Sequence, residues 1–384
     1  VRRVYLDYNA TAPVRPEVRR AVEPLLFGEP DAPDAGLARG AGNASRVHWA
    51  GQAARKALEG ARAELAARYQ RHPSEVIFTS GGTEADNLAL VGVLTHPVVT
   101  RPRLVLSAVE HPAVRAAAAA LARRGVEVAE VPVDGAGALD LDALDAALAT
   151  PTTLVSVMAV NNETGVILPV AEVVARARAA GAWVHVDAVQ AAGRLPPDAA
   201  PDLITLSGHK LGGLKGAGAL LIRKAVPLAP QVVGGPQERG HRAGTEPVAL
   251  AVGLVRGLAA AEAQRPAEAA RLGALRDRLD AALAQLPGAR VLGGARVSNT
   301  TCAVFTGVDG EAVLQGLDLE GVACSSGSAC SSGSLEPSHV LLAMGVAPAE
   351  ALAAVRFSLG WATTETDILR VQEILPGVVA RARR

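Results

Sequence analysis

The sequence predicts an α/β protein: a mostly parallel sheet flanked by helices, followed by a smaller α+β unit. Short apolar runs alternate with Ala-rich stretches of helical spacing from about residue 75, as in a β-α-β succession. Residues 247–286 then read as one long helical stretch, and a second group of strand candidates follows it. The length, 384 residues, exceeds what one hydrophobic core usually organises, so two domains are expected.

The strand candidates of the first group are 76–80 ("VIFTS"), 103–109, 126–133, 153–160, 183–189 ("WVHVDAV"), 202–208 ("DLITLSG") and 218–224. Helical spacing fills 84–94, 112–124, 140–149 and 170–180 between them. The last three strands follow one another closely, which points to a mixed part of the sheet. The long stretch 247–286 is expected to break at Pro266, because proline lacks the N–H that continues a helix. Beyond it, "SNTTCAVF" and "VRFSLG" read as strands, and 310–319, 337–344 and 364–382 as helices.

Composition narrows the function. Basic and acidic residues balance at 38 each, and no basic run is interleaved with aromatics, which argues against a nucleic-acid partner. No apolar run reaches the roughly 18 residues that cross a bilayer. Three cysteines in so long a chain exclude a disulfide framework and fit a reducing cytoplasm. The start without Met is read as processed or trimmed. Only four lysines stand against 34 arginines, and three of the four fall in "SGHKLGGLKGAGALLIRK". An amine that can lose its proton is something arginine cannot supply.

Open α/β sheets bind ligands beyond the carboxyl ends of their strands. After 76–80 comes "SGGTEADN", where Gly82 and Thr83 open a helix and free N–H groups favour phosphate; an ordinary capping arrangement reads the same way. The next strand ends at His111 in "EHP", another at Asn162 in "NNETG". Asp187 and Gln190 close 183–189, and Ser207, His209 and Lys210 close 202–208 in "SGHK". Each alone has a structural explanation. Together, a phosphate cradle, an acid, an imidazole and a lysine are what pyridoxal phosphate needs: the lysine forms a Schiff base, and the acid keeps the ring nitrogen protonated.

The stretch "ACSSGSACSSGS" (323–334) holds Cys324 and Cys330 among Ala, Ser and Gly alone. The C-x₅-C spacing and the missing third and fourth ligands speak against zinc, and a reducing compartment against a disulfide. A reactive thiol and an incidental one remain. Cys302, inside "TTCAVF", reads as core, and Cys324 as a small packed residue.

These segments, with "YLDYNATAPV" (5–14), "GNASRVHWAG" (42–51), "FTSGGTEADN" (78–87), "ERGHRAGTEP" (238–247), "CSSGSAC" (324–330) and "RFSLG" (356–360), resemble the cysteine desulfurases. These are fold-type I pyridoxal-phosphate enzymes of the class V aminotransferase group, and the loop resembles their long-loop subgroup. The resemblance implies a seven-stranded, mostly parallel large domain (16–256) and a small α+β domain (1–15 and 257–384) carrying a mobile cysteine loop at 323–336. It implies Lys210 as the Schiff-base lysine, Asp187 at the pyridinium and His111 as the stacking acid or base. Gln190 falls at the ring hydroxyl, and Gly82, Thr83, Ser207 and His209 at the phosphate. Thr245 would reach the phosphate of a neighbouring subunit, which implies a homodimer with shared sites. Asn162 and Arg356 would orient the substrate, and Cys330 is the nucleophile. Leu214 departs from the family's usual Pro, and segment 28–42 is longer than the family's link.

The activity so implied is removal of sulfur from L-cysteine, giving L-alanine and a persulfide on Cys330. The sulfur would pass to an acceptor protein for iron–sulfur assembly or tRNA thiolation. A selenocysteine lyase or aminotransferase on the same scaffold, and a non-catalytic sulfur- or cluster-binding module, are the alternatives.

Overall fold

A computed structural model of the chain describes residues 3–28, 42–198, 200–327 and 336–383. Cys330, most of the cysteine stretch and most of segment 28–42 lie outside the described residues. The chain opens with β1 (Val4–Tyr5), α1 (Pro16–Phe27) and α2 (Trp49–Arg68). Strand and helix then alternate: β2 (Val76–Thr79), α3 (Gly82–Leu94), β3 (Arg103–Ser107), α4 (Pro112–Ala122), β4 (Glu127–Val131), α5 (Leu141–Leu148), β5 (Leu154–Met158), α6 (Val170–Ala179) and β6 (Trp183–Asp187). Two more strands, β7 (Leu203–Ser207) and β8 (Gly218–Ile222), complete this part.

These strands form one seven-stranded sheet in the order β2-β8-β7-β6-β5-β3-β4. Strand β8 runs antiparallel to both β2 and β7, and every other pair is parallel. The mixed end is therefore where the close spacing of the last strands placed it. Both faces are covered, so the central strands are buried and mostly apolar, and successive residues serve opposite faces. In β8, Ala219 and Leu221 join the core with Leu58 and Leu65 of α2, Val173 of α6 and Leu254 beyond. Leu220 and Ile222 join the core with Leu88 of α3 and Val114 and Leu121 of α4.

The remainder runs α7 (Val248–Ala284), β9 (Ala289–Leu292), β10 (Thr300–Phe305), α8 (Gly310–Leu319), β11 (Val322–Ala323), β12 (Ser325–Ser326), α9 (His339–Ala343), α10 (Pro348–Ala351), β13 (Ala354–Ser358) and α11 (Glu365–Arg381). Strands β12-β13-β10-β9 make a four-stranded antiparallel sheet. Its core gathers Phe305, Phe357, Val313, Leu317, Ile368 and Val378.

The break expected at Pro266 does not occur, and α7 is continuous through it. Proline removes one N–H from the helix ladder, but both halves are tied down. Leu254, Val255 and Leu258 pack in the large core, and Leu272, Leu275, Leu279 and Leu283 in the terminal half of α7 are buried as well. Tertiary packing outweighs the local penalty. The helix therefore runs from one sheet to the other.

Residues 4–12 cross between the two sheets. Strand β1 pairs in parallel with β11, Leu6 bonds through its N–H to Ala323 and through its carbonyl to Ser358, and the Ala12 N–H donates to the His209 carbonyl at 2.8 Å. Gly360 makes room for this crossing, since a Cβ there would meet the Tyr8 ring at 1.9 Å.

Candidate functional site

The crossing segment forms one wall of a cavity of about 280 Å³ at the carboxyl ends of β6 and β7. Asn9, Ala10, Gly82, Thr83, Asp86, His111, Asn162, Asp187, Gln190, Ser207, His209, Lys210 and Arg356 line it. The position obeys the rule for open α/β sheets. Except for Cys330 and Thr245, every site residue expected from sequence converges here. Thr245 is exposed and does not line the cavity of its own chain; Cys330 lies outside the described residues.

Each side chain is delivered by the end of an element. Asp187 is the last residue of β6, and its Oδ1 accepts the Val189 N–H at 2.9 Å. Burial pushes its carboxyl up, while that hydrogen bond and the Lys210 charge oppose the rise. Lys210 follows β7, and its Nζ donates to the carbonyls of Asn9 and Ala10, the latter at 2.8 Å. His209 meets Thr11 through Nδ1 at 3.2 Å and is held down to about 4 by burial and by the charges of Lys210 and Lys215.

His111 caps α4, with its Nδ1 accepting the Ala113 N–H at 3.1 Å. Burial, with help from Lys210 and His339, lowers it to about 4. A neutral ring whose Nδ1 accepts carries its proton on Nε2, so in this arrangement Nε2 is a hydrogen-bond donor.

Gln190 is engaged at both ends of its amide. Its Nε2 donates to the Asn9 carbonyl at 3.0 Å, and its Oε1 accepts from Arg194 at 2.7 Å. Arg356 is wholly buried on β13, where Nη2 meets Asp7 Oδ1 at 2.7 Å and Nη1 the Asn162 carbonyl at 3.1 Å. Ser325 also donates to Asp7 Oδ1, at 2.8 Å.

Two features test the fit of a phosphorylated cofactor. Ser207 Oγ is buried without a hydrogen-bond partner. Beside it, the Gly81–Gly82 turn opens α3, and a Cβ on Gly82 would meet Val189 at 2.9 Å and Ser207 at 3.5 Å. An orphaned hydroxyl beside bare helix N–H groups is a cradle for an anion. An acid and a lysine stand across the same cavity, so the donor set fits pyridoxal phosphate.

Residues that sequence reasoning left unassigned also belong here. Asp7, Asn9 and Asp86 sit inside quoted motifs, but their use depends on partners far away in the chain. Glu110 precedes His111 and is fully buried, its Oε1 accepting from the Ser107 hydroxyl and from the Met158 N–H. Burial pushes its carboxyl up to about 8 against those two hydrogen bonds. Because the folded value lies above the usual one of about 4.3, the fold holds this proton more tightly than the unfolded chain. Stability should therefore fall as pH rises from about 4.5 to 8 and level off above, by at most about 1.4 kcal/mol per pH unit from this group. Glu110→Gln is expected to flatten that slope in melting curves taken across the range. An unchanged slope would show that Glu110 is not its source.

Residues 4–371 match the family described as Aminotransferase class-V. The chain belongs to that family. It is 45% identical over 389 aligned positions to a cysteine desulfurase of Cereibacter sphaeroides, covering 99% of this chain and 97% of that one. It is 44% identical to a cysteine desulfurase of Sinorhizobium fredii, over 100% of this chain and 98% of the relative. Among solved structures, a NifS-like protein superposes with a TM-score of 0.89 at 32% identity, covering 99% of this chain and 100% of the other. The resemblance stated from the motifs, and the α/β class with its mostly parallel seven-stranded sheet, hold across the whole length. Among the described residues no helix is long and apolar enough to cross a membrane.

Proposed function

We propose that the protein is a pyridoxal-phosphate-dependent cysteine desulfurase, converting L-cysteine and its own Cys330 thiol into L-alanine and a Cys330 persulfide. The observation that carries this reading is the lysine, acid, imidazole and orphaned-hydroxyl set converging on one cavity, in a chain 45% identical to a cysteine desulfurase along its full length. When bound, the cofactor supplies an electron sink for the substrate's α-carbon.

The chain's own residues do the rest. Lys210 anchors the cofactor, Asp187 faces its ring nitrogen, and Gln190 its ring hydroxyl. Gly82, Thr83, Ser207 and His209 take the phosphate, with Thr245 of a second copy completing it in a homodimer. Asn162 and Arg356 orient the substrate carboxylate. Cys330 attacks the substrate sulfur as a thiolate: the S–S bond forms as the C–S bond breaks, and the electron pair stays on carbon. The proton that carbon needs is the one released by the Cys330 thiol, with His111 as the acid–base group that carries it. The persulfide then passes to an acceptor protein of iron–sulfur assembly or tRNA thiolation in the cytoplasm.

Purified protein loaded with pyridoxal phosphate and given L-cysteine and a reductant should release alanine and sulfide in equal amounts. A protein that takes up no cofactor, or that forms pyruvate in place of alanine, would overturn the reading. Arg356→Lys keeps the charge but loses the planar fork, so the KM for cysteine should rise roughly 10- to 100-fold with a smaller change in kcat. An unchanged KM would remove Arg356 from substrate binding.

A further inference from the structure

One buried acid in the cavity has no part in the reaction just described. Asp86 sits one turn into α3, lines the same cavity as Asp187 and is 1% exposed. Its Oδ1 has no hydrogen-bond partner. The group is nevertheless aimed. Ser156 meets His185 Nδ1 at 2.9 Å, His185 Nε2 meets Thr205 Oγ1 at 3.0 Å, and the Thr205 hydroxyl bonds Asp86. His185 is wholly buried and held down to about 3, so it is neutral and has one N–H to give. With Thr205 donating to Asp86, that N–H is on Nε2, and Ser156 donates to Nδ1. Three side chains thus orient one carboxyl group.

What surrounds Asp86 is acidic. Asp187 and His185 face it from β6 and Glu110 from the turn before α4, while β2, β5, β7 and β8 carry no ionisable residue. Arg115 of α4 is turned to the Ala108 carbonyl and Glu130, and Lys210 acts on Asp187. Burial first, then the Asp187 charge, push Asp86 well above the usual carboxylate range. Two facing buried acids cannot both ionise at low cost, so the cofactor-free pair carries one proton and one charge.

We propose that Asp86 is a positioning residue for the cofactor that acts through Asp187: the two carboxyl groups form one acid pair, and Asp86 gives up its proton when a cationic ring nitrogen settles against Asp187. The inference rests on the pyridoxal-phosphate reading of the cavity. The proton goes to the ring nitrogen if that arrives neutral and to solvent if it arrives protonated. In either case the Asp86 O–H bond is the one that breaks. Two carboxylates then favour the protonated ring more strongly than one would.

The test is calorimetric titration of cofactor-free protein with pyridoxal phosphate, in buffers of different ionisation enthalpy, for wild type and Asp86→Asn. The variant has no proton to give, so per cofactor bound it should take up about one more proton than wild type. Correspondingly, wild-type affinity should gain about tenfold per pH unit over the variant while Asp86 is still protonated in the free protein. Equal proton counts with parallel pH profiles would overturn the inference. Thr205→Val guards against a variant that fails to fold. It leaves Asp86 ionisable without its donor, so the wild-type proton count should persist with the pH profile moved upward, and an unmoved profile would remove the relay. Wild type that binds no pyridoxal phosphate would sink the functional reading instead.

Discussion

Lys210→Ala is expected to lower turnover of L-cysteine by at least about 10³-fold, the scale on which an essential covalent anchor acts. No other lysine can take over. The chain has four lysines, and Lys56, Lys215 and Lys224 do not line the cavity. Arg356, in the cavity lining, and Arg194, bonded to Gln190, are guanidinium groups already engaged with Asp7 and Gln190 and cannot lose a proton to act as nucleophiles. The cradle at Gly82 and Ser207 and the acid at Asp187 remain in the variant, so pyridoxal phosphate should still bind. Borohydride should then fix the cofactor to wild type and not to the variant, while both retain it on gel filtration. A variant with wild-type turnover would remove Lys210 from the chemistry.

Cys330→Ala should reduce sulfide release from cysteine to background while leaving cofactor binding and absorbance intact. The two other thiols cannot substitute. Cys302 is fully buried in β10, and burial, with Glu163 adding to it, pushes its thiol up to about 12. Cys324, partly buried, packs against the second core, and burial, with Asp7 adding to it, raises its thiol as well. The thiolate is the attacking form, and neither residue reaches it near neutral pH. Sulfide release that survives the substitution would mean that the nucleophile lies elsewhere. Alanine formation and sulfide release should be lost together, because the same S–S bond serves both.

Much of this was legible in the sequence because strands announce themselves. Seven short apolar runs of the right spacing gave seven strands, each one to three residues shorter than the run, and the residues after them were the cavity lining. What stayed hidden was whatever depends on main-chain atoms or on distant partners. The carbonyls of Asn9 and Ala10 hold Lys210, and a carbonyl carries no residue-type signature. Asp7 meets Arg356 across 349 positions, and no local spacing encodes such a pair; Arg356 entered only through the motif it resembles. Pro266 misled for the opposite reason, since a sound local rule was outweighed by packing on both halves of α7. Asp86 looked like one more polar residue in a helix opening, and only its depth and its neighbours set it apart.

The crossing of residues 4–12 between the sheets also bears on how the protein comes into being on the ribosome. Its hydrogen bonds run to Gly321, Ala323 and Ser358 on one side and to His209 and Lys210 on the other. Residues 4–12 therefore wait for β11 and β13, more than 300 residues later, before they find their place. A nascent chain stalled ahead of β13 can lay down the seven-stranded sheet, with Lys210 and Asp187 at its edge, but Asp7 has no guanidinium to meet and the cavity lacks a wall. The pairing of Asp7 with Arg356 is thus made only once β13 has been synthesised.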